Sequence, residues 1–157
     1  MDAVIARRRL PHIDVGSAVY FLTFRLAGGQ RPPLTEAERT LVQVHLQRMG
    51  PVTVTAFVVM PDHVHLLYLS APGEQLSKTL QALKSASAHR LARQSGRLAP
   101  IWQHETFDRL IRTDREFRAT WSYIEANPVR RGLVQAVDAY EWSSAWRRSP
   151  GAAPAPS

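Results

Sequence analysis

The stretch Val52-Thr53-Val54-Thr55-Ala56-Phe57-Val58-Val59-Met60-Pro61-Asp62-His63-Val64-His65-Leu66-Leu67-Tyr68-Leu69-Ser70 decides how the chain is read. Val52 to Met60 is β-branched and apolar enough for a strand, Pro61-Asp62 is a turn, and His63 to Ser70 is the returning strand. A strand repeats its side-chain direction every second residue, so His63 and His65 project from one face with their imidazoles within reach of a shared metal ion. By spacing alone the pair serves equally well as two solvated histidines on the outer face of a hairpin. Asp62 has the opposite parity and is read as a turn residue.

Working outward, Ala18 to Leu26 makes a first strand, ended by Gly28-Gly29 and Pro32-Pro33. Thr35 with Glu38 three residues on is a capping box, which starts a helix over Glu36 to Met49 that Gly50-Pro51 ends. After the hairpin, a long helix runs from about Glu74 to Gln94 with Leu76, Leu80, Leu83 and Leu91 on its buried stripe, closed by Ser95-Gly96. Ile101 to Arg112 holds a fourth strand, and Thr113 with Glu116 caps a last helix that runs toward Asn127. The order is strand, helix, strand, strand, helix, strand, helix. That is the α+β, ferredoxin-like βαββαβ arrangement with an added C-terminal helix.

The 157 residues, 45% hydrophobic, suit one domain, taken as 1–148, with the low-complexity end 149–157 read as a disordered tail. No apolar run approaches the roughly 20 residues of a membrane span, and Arg7-Arg8-Arg9 leads into Pro11-His12 rather than an apolar leader, so a cytoplasmic protein without membrane contact is expected. With no cysteine there is neither a disulfide framework nor a thiol nucleophile, and any metal must take histidine, oxygen or amide donors. The net charge is +7, carried almost wholly by arginine. Guanidinium forks match phosphate oxygens and stack on bases, so the excess points to nucleic acid.

Two imidazoles on a metal leave positions open to polarise a phosphoryl oxygen, and the component still missing is a nucleophile. Four tyrosines compete. Tyr68 lies at odd offset from His65 and faces the other side of its strand; Tyr20 and Tyr140 sit in aromatic packing runs. Tyr123 differs: Phe117, Trp121 and Ile124 form the buried stripe of the last helix, while Glu116, Thr120, Tyr123 and Asn127 share its flank. Lys78, Arg90, Arg93 and Arg97 fall on one side of the long helix, with Lys84 as the second lysine. Arg109, Arg112, Arg115, Arg118, Arg130 and Arg131 crowd the tyrosine region. The block Lys78, Lys84, Arg90, Arg93, Arg112, Arg130 and Arg131 is the candidate phosphate track, or else ordinary solvated helix surface. Trp102 either stacks a base or packs. His104 and Glu105 precede the core of the fourth strand and could approach the nucleic acid, though no spacing argument lifts them above surface residues.

Met60-Pro61-Asp62-His63-Val64-His65-Leu66-Leu67, Ile101-Trp102-Gln103, Phe107-Asp108-Arg109-Leu110-Ile111-Arg112 and Tyr123-Ile124-Glu125-Ala126-Asn127-Pro128 together resemble the tyrosine transposases of the HUH nuclease superfamily. The resemblance is to the IS200-like group, and within it most to the REP-associated tyrosine transposases. It implies that His63 and His65 bind a divalent ion, Mg²⁺ or Mn²⁺, and that Tyr123 attacks single-stranded DNA. The implied product is a 5′-phosphotyrosine with a free 3′-hydroxyl, on hairpin DNA of the REP kind. The family's third ligand is a glutamine four residues after the tyrosine; Asn127 stands there, with the same amide oxygen on a shorter arm. Asn-Pro is also an ordinary helix-ending signal, so Asn127 is either a ligand or a cap. Imidazole ligands by themselves suit manganese or zinc. Relatives of this kind act as monomers or homodimers, and the rival reading is a structured-DNA-binding protein of the same fold without useful catalysis.

Overall fold

The computed structural model describes residues 10–11, 14–30 and 32–146; the expected tail, 149–157, and the Arg7-Arg8-Arg9 run lie outside the described residues. In chain order the elements are β1 (Val19–Arg25), α1 (Glu36–Arg48), β2 (Val54–Val59), β3 (His63–Leu69), α2 (Leu76–Ser95), β4 (Phe107–Ile111) and α3 (Asp114–Arg130). A single 3₁₀ turn, Val137–Ala139, follows. The strands lie in the order β2-β3-β1-β4, each pair antiparallel, which is the ferredoxin-like sheet expected from the element order.

Strand parity divides the core into two layers. Leu22, Phe24, Leu26, Phe57, Val59, Val64, Leu66 and Tyr68 point to one face, where Val42 and Leu46 of α1 and Leu80, Leu83 and Leu91 of α2 cover them. Phe21, Ala56, Val58, Leu67 and Ile111 point to the other, against Phe117, Trp121 and Ile124 of α3. His63 and His65 share the parity of Leu67, so they join the α3 layer. The register pairs Arg25 with His63 and Thr23 with both His65 and Phe107. Phe107, Thr23 and His65 therefore form one row across three strands.

The capping box of α1 is complete: Glu38 N–H donates to Thr35 Oγ1 at 3.2 Å and Thr35 N–H to Glu38 Oε1 at 3.0 Å. That of α3 is half made, because Thr113 accepts from Glu116 N–H while the Glu116 carboxylate takes the Arg112 N–H instead. The fourth strand is shorter than its sequence suggests. Trp102 makes only a bridge to Leu26, residues 103–106 leave the sheet, and pairing resumes at Phe107. Lys84 stabilises that departure by donating to the Gln103 carbonyl at 2.5 Å and the His104 carbonyl at 2.9 Å.

Helix α3 does not stop before Pro128; it runs on to Arg130. Pro128 has no N–H to give the Ile124 carbonyl, and the helix carries on for the two residues that remain. The end is closed by Arg131 N–H to the Asn127 carbonyl at 3.0 Å and Gly132 N–H to Val129 at 3.0 Å. Asn127 is thus an interior helical residue and not a cap. Beyond α3 the chain returns along the open edge of β2: Val59 N–H donates to Trp142, Ser144 N–H donates to Phe57, and Tyr140 Oη donates to the Val59 carbonyl at 2.7 Å. An edge strand that would otherwise offer free backbone groups is covered.

Candidate active site

At the start of β3, Asp62 Oδ1 and His63 Nδ1 lie 2.6 Å apart. A carboxylate only accepts, so the proton sits on Nδ1 and Nε2 is left with its lone pair. That Nε2 is buried and has no partner, in a side chain of 0% exposure. The Asp62 contact corrects the parity reading: Asp62 precedes the strand, so strand alternation does not set its direction, and it folds back onto the ring it was expected to avoid. Two positions on, His65 Nδ1 is 2.6 Å from Thr23 Oγ1. Its ring stands 4.6 Å from that of His63, centroid to centroid. In both histidines the δ nitrogen is held by the protein and the ε nitrogen is the one left over.

Burial lowers the pKa of both imidazoles. For His63 it outweighs the hydrogen bond and charge of Asp62, and Arg25 and Arg131 push the same way as burial. His65 is held down to about 3 by burial, then by His63, Arg25 and Arg131. For Asp62, burial opposes ionisation, but the bond to His63 and nearby positive charge outweigh it and the carboxyl stays below its usual value. The histidines are therefore neutral, the form that ligates metals. They are also buried, not solvated on an outer face.

The last helix supplies the rest. Tyr123 is 39% exposed, an open aromatic beside the buried Phe117, Trp121 and Ile124 stripe. Its ring meets His65 at 5.7 Å and Phe21 at 6.0 Å, both edge to face, and the Arg130 guanidinium lies 4.8 Å above it. One turn further on, Asn127 is buried and its Oδ1 has no partner. Buried polar atoms are nearly always satisfied, so orphans at His63 Nε2 and Asn127 Oδ1 ask for an explanation. Among the described residues no three or more of His, Cys, Asp and Glu form a metal-holding cluster. Two imidazoles and one amide oxygen are, by their chemistry, donors that a cation takes. A cleft of about 590 Å³ opens before His65 and Tyr123, walled also by Thr23, Arg25, Glu105 and Phe107.

The basic residues separate. Arg130 and Arg131 end α3 beside the histidines. Arg112 follows β4 at the opposite end of the sheet, since Ile111 pairs with the first residue of β1. Lys78, Arg90 and Arg93 belong to α2, on the other layer. Lys84 is not on a phosphate-facing surface: its ammonium is buried against Gln103, His104 and Thr106, and burial lowers its pKa. Arg97 lies past the end of α2 and is taken up by Glu38, at 2.5 and 2.9 Å, and by the Pro33 carbonyl. Trp102 packs edge-on to Phe24 and donates to Ser87 Oγ, so it is a core residue. Tyr68 and Tyr140 are buried, with Tyr68 Oη on Glu74.

Thr23 and Arg25 carry no mark in the sequence taken by itself, while Glu105 stands there among surface residues and Phe107 only as part of the fourth strand. Thr23 and Arg25 alternate with the period of the two histidines, a signal that means something only once β1 is known to lie beside β3.

The model of the IS200-like transposase family matches residues 35–127. The chain is 26% identical over 133 residues to a REP-associated tyrosine transposase of Escherichia coli, an alignment covering 83% of this chain and 78% of the relative. A provisionally assigned relative of the same description in Haemophilus influenzae is 28% identical over 138 residues, 80% of this chain and 78% of its own. A solved structure described as a REP-associated tyrosine transposase bound to a REP hairpin superposes with a TM-score of 0.71 at 23% identity, over 92% of this chain and 87% of that one. The family match reaches from the cap of α1 to Asn127, so it takes in the hairpin of the two histidines and the helix that carries Tyr123. The protein belongs to the IS200-like transposase family, whose members are tyrosine transposases.

Proposed function

We propose that the protein is a metal-dependent single-strand DNA endonuclease and strand transferase that uses Tyr123 as its nucleophile. One observation supports this reading: His65 of β3 and Tyr123 of α3 line a single cleft in ring contact, with the buried His63 ring 4.6 Å from that of His65. His63 Nε2, His65 Nε2 and Asn127 Oδ1 would hold the cation, Mg²⁺ or Mn²⁺, which when bound polarises a phosphoryl oxygen. Tyr123 Oη attacks phosphorus, the bond to the 3′ oxygen breaks, and the phenolic proton is given up as the 3′ oxygen gains one. The products are a 5′-phosphotyrosine and a 3′-hydroxyl, and the reverse attack rejoins a strand without outside energy. Arg130 faces a ring that becomes anionic during the attack, and Arg25 offers a cation at the mouth of the cleft.

The DNA is proposed to be a hairpin with a single-stranded flank, a reading supported by the REP hairpin on the structurally similar transposase. Arg130 and Arg131 are the nearest phosphate contacts. Arg112 follows β4 at the far end of the sheet, and Lys78, Arg90 and Arg93, on the other layer, would meet only DNA that passes round the edge of the sheet.

The test is a denaturing gel of the protein incubated with end-labelled hairpin DNA and Mn²⁺. A label that migrates with the protein supports the reading. Cleavage with no protein-linked label would assign the attack to water, and binding with neither would leave a DNA-binding module of this fold.

A further inference from the structure

We propose that Phe107 is the stacking platform for a nucleobase beside the scissile phosphate, and that Glu105 selects that base for an exocyclic amino group. The proposal rests on the single-strand chemistry proposed above and names what that chemistry leaves open, namely where the neighbouring base goes.

Phe107 opens β4 with the parity of the histidine face and lies in the row Phe107, Thr23, His65. Strands spaced ~4.8 Å apart put its backbone roughly 10 Å from that of His65, a separation that one nucleotide can bridge. The side chain is 57% exposed, although Phe21, against which its ring stands edge-on at 6.0 Å, is buried. A lone exposed phenylalanine is ordinary on a protein surface. This one is placed otherwise: it walls the 590 Å³ cleft on one side and a second hollow of about 380 Å³ on the other, and Tyr123 lines both. An open aromatic face on each approach to the nucleophile is what an unpaired base needs, because every base has a π-face to stack.

The polar lining is uneven in a way that discriminates. Arg25 supplies positive charge for phosphate, while Glu105 is acceptor-only. A carboxylate in a phosphate-binding cleft repels the backbone and favours base edges rich in N–H. Guanine presents two adjacent donors and pairs with a carboxylate through both; cytosine and adenine present an amino group. Thymine offers one N–H between two carbonyl oxygens that face the carboxylate with repulsion. Gln103, which can donate and accept, stands in the same cleft and suits the remaining edge atoms.

The experiment uses a pool of end-labelled hairpins with a randomised single-stranded flank. The parent protein is first checked for protein-linked label with Mn²⁺, and the linked fraction is then sequenced. The expected result is one flank position enriched in guanine, cytosine or adenine, with thymine depleted about tenfold or more. Glu105→Gln should remove the depletion, since an amide also donates to a thymine carbonyl. Phe107→Leu should weaken binding about tenfold or more, and Phe107→Tyr should restore it, with all variants melting like the parent. Binding is read by anisotropy on uncut DNA in a Tyr123→Phe background. The proposal is overturned if Phe107→Leu changes neither affinity nor the enriched bases, or if Glu105→Gln abolishes the adduct for every sequence, which would place the carboxylate in the chemistry. A parent that labels no member of the pool refutes the proposed function itself, and the base site falls with it.

Discussion

His65 and Tyr123, one on the third strand and one on the last helix, face each other with ring centroids 5.7 Å apart. The contact is possible because α3 packs on the sheet face that carries the even-spaced histidines, while α1 and α2 take the other. The proposed nucleophile and the proposed metal donors thus come from two elements that meet through the α3 layer of the core.

Tyr123→Phe isolates the nucleophile. The half-exposed ring keeps its contacts with His65, Phe21 and Arg130, so affinity for hairpin DNA should stay within about twofold. The covalent band on a denaturing gel should vanish. A band that survives here and disappears in Tyr20→Phe, Tyr68→Phe or Tyr140→Phe would mean another tyrosine attacks.

Asp62 holds His63 in the tautomer that frees Nε2, and its side chain is 58% exposed. Asp62→Ala should therefore lower Mn²⁺ affinity about 10- to 100-fold, read by calorimetric titration, with little change in melting temperature. Asp62→Asn should recover part of the loss, because the amide oxygen still accepts from Nδ1. Equal affinity in all three proteins would remove Asp62 from the site.

His63→Ala and His65→Ala should both cancel the rise in melting temperature that Mn²⁺ gives the parent. Neither is expected to be innocuous in the metal-free protein, since both rings are buried and their loss costs about 1–3 kcal/mol. Asn127→Ala should also cancel the Mn²⁺ effect while leaving the metal-free melting temperature near that of the parent, because Oδ1 has no hydrogen bond to lose. A full Mn²⁺ shift in Asn127→Ala would show that the amide is not a ligand.

Glu38 is held at about 2, against an ordinary 4.5, first by its hydrogen bonds from Arg97 and then, against the opposing effect of burial, by Thr35 and the Arg97 charge. Between those values the unfolded chain binds more protons than the folded one. The pair's stabilisation is therefore complete above pH 4.5 and lost as pH falls toward 2, by up to about 3 kcal/mol. In urea unfolding from pH 5 to pH 3, Glu38→Gln should start less stable than the parent and lose less. Parallel curves would show that the Arg97 pair is not what titrates.

The cations can be sorted by salt. Arg130→Gln or Arg131→Gln should reduce the slope of log affinity against log salt by about 0.7 each for a single-stranded contact, measured by fluorescence anisotropy. Lys84→Met should leave the slope alone yet destabilise the fold, because three hydrogen bonds to the 103–106 segment are lost. A changed slope in Lys84→Met would return that lysine to the DNA path.

Much of this was legible in residue order. The alternating apolar runs, the Thr35 and Thr113 caps and the closing glycine at 96 are local signals, each set by backbone geometry within a few residues, and they yield the ferredoxin-like order directly. The same periodicities put His63 and His65 on one face and leave Tyr123 at the flank of a buried stripe. What they could not give was anything dependent on which elements become neighbours. Thr23 and Arg25 matter because β1 lies between β3 and β4. Lys84 and Arg97 look like free cations until distant carbonyls and Glu38 fold against them. Asp62 turns toward His63 because a turn residue escapes strand alternation, and Asn127 stays helical although a proline follows it, in a last turn where both are buried. Period and capping are properties of a short segment and are written in its side chains. Register, burial and the pairing of charges arise from apolar faces closing over one another, and only the folded sheet decided them.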